Sequence, residues 1–174
     1  MANRAYKFRI YPNREQELLF AKTFGCCRFL YNQMLADKIR EYQKSGKMIR
    51  TMPAAYKKEY PWLKEVDSLA LANVQLQLER AYRNFFDCKE SGFPRFRTKH
   101  RSRKSYTTNV VNGNIRLEKG RIRLPKAGTV KIRAHREIPE RWKLKAVTVS
   151  REPTGKYYAS LLYKYPDKIG RAHV

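Results

Sequence analysis

The sequence predicts an α+β fold in which a helical block is inserted after the first strand of an antiparallel β-sheet or small barrel. Three observations predict it. Residues 6–11 have the two-residue period of a half-buried strand, residues 14–45 and 68–86 place apolar side chains three and four residues apart, and the two-residue period returns after residue 105. A lone strand needs a partner, so we expect the first strand to join the later sheet.

The first helix is expected directly after the first strand. Pro12 ends the strand, and Asn13 can cap a helix over residues 14–24. Gly25 interrupts the pattern, which predicts a second, separate amphipathic helix that ends at residues 45–46. The apolar face of this second helix would hold Cys27, Leu30, Tyr31, Met34, Leu35, Ile39 and Tyr42.

A third helix is expected after a weakly patterned stretch that runs through Pro53 and Pro61. Ser68 can cap this helix. Its opposite face carries Arg80 and Arg83, for which ordinary solvated surface positions are favoured over ligand contacts. The positions that give the helix its pattern are Leu71, Val74, Gln75, Leu78, Tyr82, Phe85 and Phe86.

Six short strands are expected beyond residue 105, joined by glycine-containing turns with no helix between them. They cover residues 106–111, 114–117, 121–124, 129–133, 144–150 and 157–165. The core face would be formed by Ile115, Leu117, Ile122, Leu124, Val130, Ile132, Val147, Val149, Ala159, Leu161 and Tyr163. Alternate positions hold cations, so one surface of the sheet should be strongly positive, through Arg116, Arg121, Arg123, Lys131 and Arg133.

The charge balance points to nucleic acid as a partner. The 174 residues contain 39 lysines and arginines against 15 aspartates and glutamates, a net charge of +24. A polyanion would relieve the resulting self-repulsion. Membrane binding is disfavoured, because no apolar run is long enough to span a bilayer and the first residues lack the apolar core of a signal peptide.

The densest cationic stretch, residues 93–104, is named the basic segment here. It has six lysines and arginines, no carboxylate, and two aromatic rings, Phe93 and Phe96. The cations can neutralise phosphates and the rings can stack on bases, so this composition is typical of a segment that holds a nucleic-acid strand.

Cysteine and histidine give no sign of a metal site. Cys26, Cys27 and Cys88 lack the spacing of zinc ligands, and we expect them to be small buried side chains in a reducing compartment. The three histidines are scattered among cations, which disfavours both metal binding and a histidine general base.

Five blocks in the chain resemble the N-terminal half of the TnpB/OrfB proteins that bacterial and archaeal insertion sequences encode. Each block is weakly specific alone, but together they cover nearly the whole chain in order. They are Phe8-Arg9-Ile10-Tyr11-Pro12, Thr23-Phe24-Gly25-Cys26-Cys27-Arg28-Phe29-Leu30-Tyr31-Asn32, Trp62-Leu63-Lys64-Glu65-Val66, Ala81-Tyr82-Arg83-Asn84-Phe85-Phe86 and Gly92-Phe93-Pro94-Arg95-Phe96.

The resemblance implies the N-terminal part of an RNA-guided DNA endonuclease. It implies a wedge-like β-barrel of the oligonucleotide-binding type, interrupted by a helical recognition domain. The implied partners are guide RNA and target DNA, with no membrane, in the prokaryotic cytoplasm near the nucleoid; the oligomeric state is not predicted. The expected domains are the first strand at 1–12, the inserted helical domain at 13–92, the basic loop at 93–104 and the rest of the barrel at 105–167.

The resemblance also indicates two sets of site residues. A surface that reads a short motif beside the target would include Ser68, Leu69, Ala72, Val111 and Asn112, although Ser68 as a helix cap and Asn112 as a turn residue explain those two equally well. Leu69, Ala72 and Val111 would act by apolar contact, for instance with thymine methyl groups. The expected nucleic-acid-binding residues are Arg28, Arg83, Arg95, Phe96, Arg97, Lys99, Arg101, Arg103 and Lys104.

The first helices of this family are also described as a helix-turn-helix. A major-groove reader needs polar side chains on the exposed face of its second helix. Packing within a helical domain explains the same pattern, and we favour packing. The side chains that could serve as readers are Arg28, Asn32, Gln33, Lys38 and Arg40.

No catalytic residue and no cofactor are expected in this chain. The resemblance implies a nuclease in an RNase H-like domain, where three carboxylates hold two divalent metals. The first of those carboxylates would lie shortly after Tyr165. Asp167 follows Pro166 in a turn and is not assigned to catalysis. Residues 169–174 resemble the translation of a common sequencing adapter, which indicates that residues 168–174 are an artefact, with a genuine basic tail as the alternative.

Two functions therefore stay open at the level of sequence. The first is the nucleic-acid-binding part of an RNA-guided nuclease whose catalytic domain is missing here. The second is a free-standing DNA- or RNA-binding regulator without cleavage activity, and the adapter-like ending favours the first. A ribosomal-type RNA-binding protein does not explain the five blocks, and the absence of a His-hydrophobic-His motif disfavours a tyrosine transposase.

Overall fold

A computed structural model describes residues 2–166, apart from the Lys89 side chain, and has α+β content. The predicted junction at Asp167 and residues 168–174 lie outside the described residues. The helices are α1 (Arg14–Ser45), α2 (Pro53–Glu59) and α3 (Ser68–Asp87), with short 3₁₀ turns at Pro61–Glu65 and Lys89–Ser91. The strands are β1 (Ala2–Tyr11), β2 (Lys104–Asn109), β3 (Arg116–Glu118), β4 (Arg121–Leu124), β5 (Gly128–Arg133), β6 (Lys143–Arg151) and β7 (Tyr157–Tyr165).

The seven strands form one antiparallel sheet that is curled into a half-barrel, in the order β2-β6-β7-β1-β5-β4-β3. The first strand is central, because β1 pairs with both β5 and β7, which confirms that it joins the later strands. Among the described strands β2 and β3 are not paired with each other, so the sheet stays open instead of closing into the expected barrel. The edge strand β3 has only three residues, which limits the pairing surface it offers.

The expected break at Gly25 is wrong, because α1 runs without interruption for 32 residues. A glycine inside a helix costs about 0.5–1 kcal/mol relative to alanine. Continuing the helix buries Phe24, Cys26, Cys27 and Leu30, all at most 7% exposed, and this burial outweighs the cost. The helix start is as predicted: the Gln16 amide donates to Asn13 Oδ1 and the Asn13 amide donates to Gln16 Oε1, both at 2.9 Å.

Two further details of the helices differ from the sequence prediction. Helix α2, which was not predicted, lies in the weakly patterned stretch. It begins at Pro53 and buries Tyr56. The cap of α3 is Asp67, whose Oδ1 accepts a hydrogen bond from the Leu69 amide at 2.9 Å, whereas Ser68 is the exposed first residue of the helix. An aspartate and a serine are both good caps, and the chain uses the one that comes first.

The chain divides into two compact units. The sheet unit consists of residues 2–20 and 107–166, and the helical unit is Ala21–Tyr106. In the sheet unit the predicted core face is buried, except that Leu117 is only half-buried. In the helical unit α1 and α3 pack together, with the Cys27 Sγ 4.0 Å from the Ala70 carbonyl oxygen.

The cysteines follow their predicted role in two cases out of three. Cys26 and Cys27 are buried in the helical unit, and burial raises the pKa of Cys27 to about 12, so its thiol is neutral and unreactive at physiological pH. Cys88 is exposed, which contradicts the expectation of a buried side chain. It lies directly after the last residue of α3, between that helix and the 3₁₀ turn at Lys89–Ser91.

Candidate nucleic-acid interface

The basic segment leaves the helical block as a loop. Gly92, with a φ of +77°, makes the turn after the second 3₁₀ turn, a conformation in which a side chain would be strained. Residues 93–103 then have no regular secondary structure until β2 begins at Lys104. A second small turn forms inside the segment, where the Ser102 amide donates to the Thr98 carbonyl at 2.9 Å.

Arg97 anchors this segment to the helical unit. The Asn32 side chain on α1 bonds both backbone groups of Arg97: its Nδ2 donates to the carbonyl oxygen at 2.8 Å and its Oδ1 accepts from the amide at 2.7 Å. The guanidinium carbon lies 3.7 Å from the centre of the Tyr31 ring, and an η-nitrogen donates to Gln77 Oε1 at 3.2 Å. Burial lowers the pKa of Arg97, and Tyr31 opposes that shift. These contacts give Arg97 a structural role: it fixes the segment to α1 and α3.

The other cations of the segment project into solvent. Arg95, Lys99, Arg101, Arg103 and Lys104 are all exposed. Within residues 2–166 no ion pair joins any of them to a carboxylate. Because their charges are uncompensated, a phosphate backbone could contact them without first displacing an internal partner.

Phe96 lies between these cations with about half of its surface exposed. An exposed phenylalanine costs free energy in water and is available for stacking on a base. Its neighbours Arg95 and Arg97 differ in burial, the first exposed and the second half-buried. The segment therefore has an exposed aromatic ring, Phe96, next to the anchored Arg97.

Arg28 lies against the same segment. A small cavity of about 20 Å³ has walls formed by Phe24, Cys27 and four of the predicted binding residues. This volume is sufficient for about one water molecule. The neutral Cys27 thiol offers no counter-charge to the cations around it. The four residues that the structure brings together here are Arg28, Arg97, Arg103 and Lys104.

The remaining predicted site residues lie elsewhere. Arg83 is exposed on α3 and is not among the residues that line this cavity. On α3, Ser68 is exposed whereas Leu69 and Ala72 are half-buried. Val111 and Asn112 are exposed in a turn of the sheet unit, where Asn112 has a φ of +52° and Gly113 a φ of +70°. Asn112 thus has the turn role that its residue type predicts.

Two of the five polar residues of α1 that could serve as groove readers, Asn32 and Lys38, are engaged within the helical unit, whereas Arg40 is exposed. Asn32 holds Arg97, and Lys38 is only 7% exposed and donates to the Ile49 carbonyl at 2.7 Å. Arg40 bonds Asp37 at 2.6 Å, and Asp37 also accepts a hydrogen bond from the Tyr56 hydroxyl. These contacts support the packing interpretation of this face of α1.

A second basic surface occurs in the sheet unit, on the side of the strands opposite the core. It consists of Lys7, Arg9, Arg116, Arg121, Arg123, Lys131 and Arg133, and is named the basic sheet face. Strand register places Arg9 opposite Arg133 and Arg116 opposite Arg123. The positive surface was expected from the alternating pattern, but its aromatic members were not: Lys7 lies over the Tyr158 ring and Arg9 over the Tyr11 ring. The sequence signal that could have placed Tyr11 and Tyr158 on this face is the same two-residue period that places the cations there.

The described part of the chain has neither a cluster of metal ligands nor a membrane-spanning helix. Within residues 2–166 no group of three or more histidine, cysteine, aspartate or glutamate side chains is arranged to hold a metal ion. None of the helices in that range has both the length and the apolar character of a bilayer-spanning segment.

Comparison with known proteins identifies the family. A family model described as a helix-turn-helix domain, of the OrfB type found in IS605 elements, matches residues 1–47. In the structure, the described part of that match contains β1 and the whole of the continuous helix α1.

Three relatives support the match along the chain. A protein of Streptomyces pristinaespiralis named "Putative RNA-guided DNA endonuclease" is 34% identical over 171 residues, which is 91% of this chain and 41% of the relative. The protein of Escherichia coli K12 named "Putative RNA-guided DNA endonuclease InsQ" is 34% identical over 164 residues, 90% of this chain and 39% of the relative. The "Virulence protein VsdF" of Salmonella dublin is 38% identical over 112 residues, 56% of this chain and 94% of that protein.

The chain thus spans about two fifths of the length of the first two relatives. The five blocks in the sequence, the match at residues 1–47 and the identity along nine tenths of the chain agree with one another. The chain belongs to the TnpB/OrfB family of insertion-sequence proteins.

Proposed function

We propose that this chain is the nucleic-acid-binding part of an RNA-guided DNA endonuclease and that it binds guide RNA through the basic segment. In this proposal the half-barrel sheet is a wedge of the oligonucleotide-binding type, and the helical unit is a recognition domain inserted after the first strand. The names of two relatives and the order of elements, with β1 separated from β2 by all three helices, support this assignment.

The observation that carries the proposal is the set of exposed cations in the basic segment, which form no ion pair within residues 2–166. Five of its six lysines and arginines project into solvent, and the sixth, Arg97, holds the loop in place. Neutralising phosphates with such cations releases counterions, which supplies affinity without sequence preference. Sequence-independent affinity suits a guide RNA, because the guide sequence is read by base pairing and not by the protein.

Target recognition needs a second, smaller element. We propose that Ser68, Leu69 and Ala72 on α3, together with Val111 and Asn112 in the sheet unit, read a short DNA motif beside the target. Ser68 and Asn112 are exposed and can hydrogen-bond base edges, and Val111 is 47% exposed and can contact a thymine methyl group. Replacing Asn112 by Ala should relax motif preference without changing affinity for RNA alone.

Cleavage is assigned to a different part of the parent protein. We propose that a metal-dependent nuclease domain hydrolyses the DNA and that residues 2–166 bind without cutting. The support is the share of the relatives that this chain spans, about two fifths. Sequencing the source DNA through and beyond the Lys168 codon tests this: an open frame with three spaced carboxylates is expected, and a stop codon there would favour a free-standing regulator.

Binding itself is tested by titrating the full chain with a fluorescent RNA hairpin and with a DNA duplex of equal length. The expected result is tighter binding to the hairpin, with affinity that falls steeply as salt rises from about 50 to about 200 mM. Preference for duplex DNA at every salt concentration would support the regulator instead, and binding to neither would overturn both functions.

A further inference from the structure

A cavity in the helical unit has the size and chemistry of a base-binding pocket. None of the predicted nucleic-acid-binding or motif-reading residues lines it. It has a volume of about 260 Å³ and is lined by the last turns of α1 and α3 and by Phe93. Pockets for drug-sized ligands have volumes of roughly 300–1,000 Å³, so this one suits a single flat ring system. We propose that it binds one unpaired nucleobase of the RNA that the basic segment holds.

The rings around the cavity brace one another and leave flat faces open. The Phe93 ring meets Tyr82 and Phe85 edge to face, with centroid distances of 5.4 Å in both cases. Phe85 in turn supports Phe86 at 5.5 Å. Nevertheless Phe86 is 62% exposed and Tyr42, on α1, is 55% exposed. Braced rings with exposed faces are suited to stacking on a base, because they are already ordered and gain burial when it binds.

One buried cation gives the cavity a polar wall. Lys38 is 7% exposed, and its Nζ donates to the Ile49 carbonyl at 2.7 Å and lies 5.6 Å from the centre of the Tyr82 ring. An ammonium group has three N–H donors, and these two contacts leave capacity for a further acceptor. The occupant should therefore have apolar faces and an edge that accepts hydrogen bonds, which describes a nucleobase.

The position of Phe93 favours a base over the side chain of a partner protein. Phe93 lines the cavity and is also the first residue of the basic segment, two positions before the exposed Arg95. A strand whose phosphates contact the segment would have its bases within reach of this pocket. A purely aliphatic side chain would leave Lys38 without the acceptor that its position allows. This inference rests on the proposed function, because it assigns a contact within the same complex.

The test uses the full chain and single-stranded RNA of about 12 nucleotides, a length within the range that one binding domain covers. A second oligonucleotide of the same length carries abasic sites throughout, so it keeps the phosphates but has no bases. The variants are Phe86→Ala and Phe86→Leu in the pocket, with Leu76→Ala as the control, because Leu76 is also on α3, is 54% exposed and does not line the cavity.

We expect Phe86→Ala to weaken binding of the normal RNA about tenfold and binding of the abasic strand hardly at all, since stacking on one aromatic ring typically contributes that much. Phe86→Leu should lose nearly as much, because leucine keeps the apolar surface but has no π-face. Leu76→Ala should bind both strands like the unmodified chain.

Two results would overturn the pocket while leaving the proposed function intact. Equal affinities of Phe86→Ala and the unmodified chain for normal RNA would do so, as would full retention of binding by Phe86→Leu. Failure of the unmodified chain to bind either strand would instead overturn the pocket and the proposed function together. Circular dichroism of each variant establishes that a loss of binding is not a loss of fold.

Discussion

The basic segment and the basic sheet face carry similar charge in different arrangements. The segment packs six cations into twelve residues with no carboxylate, and only Arg97 is internally engaged. On the sheet face strand register fixes the spacing, Lys7 pairs with Glu152 at 2.7 Å, and Arg121 faces Glu118. The two regions differ in local charge density and in the presence of acids, and on the proposed function this difference, not total charge, decides which of them binds nucleic acid.

The sheet face also has a feature that the loop lacks. Arg9 opposite Arg133 and Arg116 opposite Arg123 are like-charge pairs across neighbouring strands, which are destabilising by roughly 0.2–1 kcal/mol each. A nearby polyanion would relieve that repulsion. We therefore expect the sheet face to attract nucleic acid weakly and the basic segment to hold it.

The largest expected effect comes from reversing charges in the two regions. Changing Arg95, Lys99, Arg101 and Arg103 to Glu should weaken binding to a structured RNA at least about 100-fold at about 0.1 M salt and reduce the salt slope by about 3, since each lost phosphate contact removes roughly 0.7–0.9 of slope. Arg97 is left unchanged because it supports the loop. Fluorescence anisotropy across a salt series measures both quantities.

The matched control reverses the same number of charges on the sheet face, at Arg121, Arg123, Lys131 and Arg133. We expect a loss below about tenfold there, because a surface with spaced and partly compensated cations makes fewer simultaneous phosphate contacts. Equal losses in the two quadruple variants would remove the distinction between the regions.

A smaller effect is expected when the loop is released without removing any cation. Asn32→Ala deletes both hydrogen bonds to the Arg97 backbone and should lower the free energy of unfolding by about 1–3 kcal/mol. RNA affinity should fall about three- to tenfold, because the loop must then be ordered on binding. Urea denaturation and anisotropy give the two values, and an unchanged affinity would mean that the anchor does not organise the interface.

Helix capping in the sheet unit should affect stability alone. Asn13→Ala removes the side-chain bond to the Gln16 amide at 2.9 Å and should cost about 1 kcal/mol of unfolding free energy. RNA affinity should stay within about twofold of the unmodified chain, since no cation of the basic segment is touched. A large loss of affinity with little loss of stability would assign this end of α1 a role in binding.

The smallest effect expected is a gain in stability at Gly25. Apart from its two chain neighbours and the nearby backbone of α1 itself, no heavy atom lies within 4 Å of the position that a Cβ would occupy at Gly25, which is inside a continuous helix. Gly25→Ala should therefore stabilise the protein by about 0.4–1 kcal/mol, through reduced freedom of the unfolded chain. Thermal unfolding measures it, and a clear loss of stability would indicate that α1 bends or opens at this residue.

Most strands of the sheet could be predicted from the sequence because they have a two-residue period. A register shift between Leu144 and Ala146 interrupts that period in β6, and the strand expected at 114–117 forms only at Arg116–Glu118. Residues 121–124 and 157–165 are strands with the predicted bounds, and the pairing of β1 followed from its need for a partner. Helix α2 could not be found in this way, since it has seven residues and only one buried side chain, Tyr56. A periodic pattern needs more positions than that.

The role of each cation could be predicted less well than its presence. Arg97 looks like its neighbours in the sequence, but its partners Asn32 and Gln77 are 65 and 20 residues away in the chain. Likewise the continuity of α1 depends on burial around Gly25, which a local glycine penalty does not reveal. Long-range contacts decide both cases, and they are visible only in the folded chain.

Photo-cross-linking of the full chain to a structured RNA, followed by mapping of the cross-linked peptides, tests the central claim most directly. The account predicts cross-links concentrated between Phe93 and Lys104, with Phe96 prominent because about half of its surface is exposed among cations. Cross-links confined to β3, β4 and β5, with none in the basic segment, would contradict it.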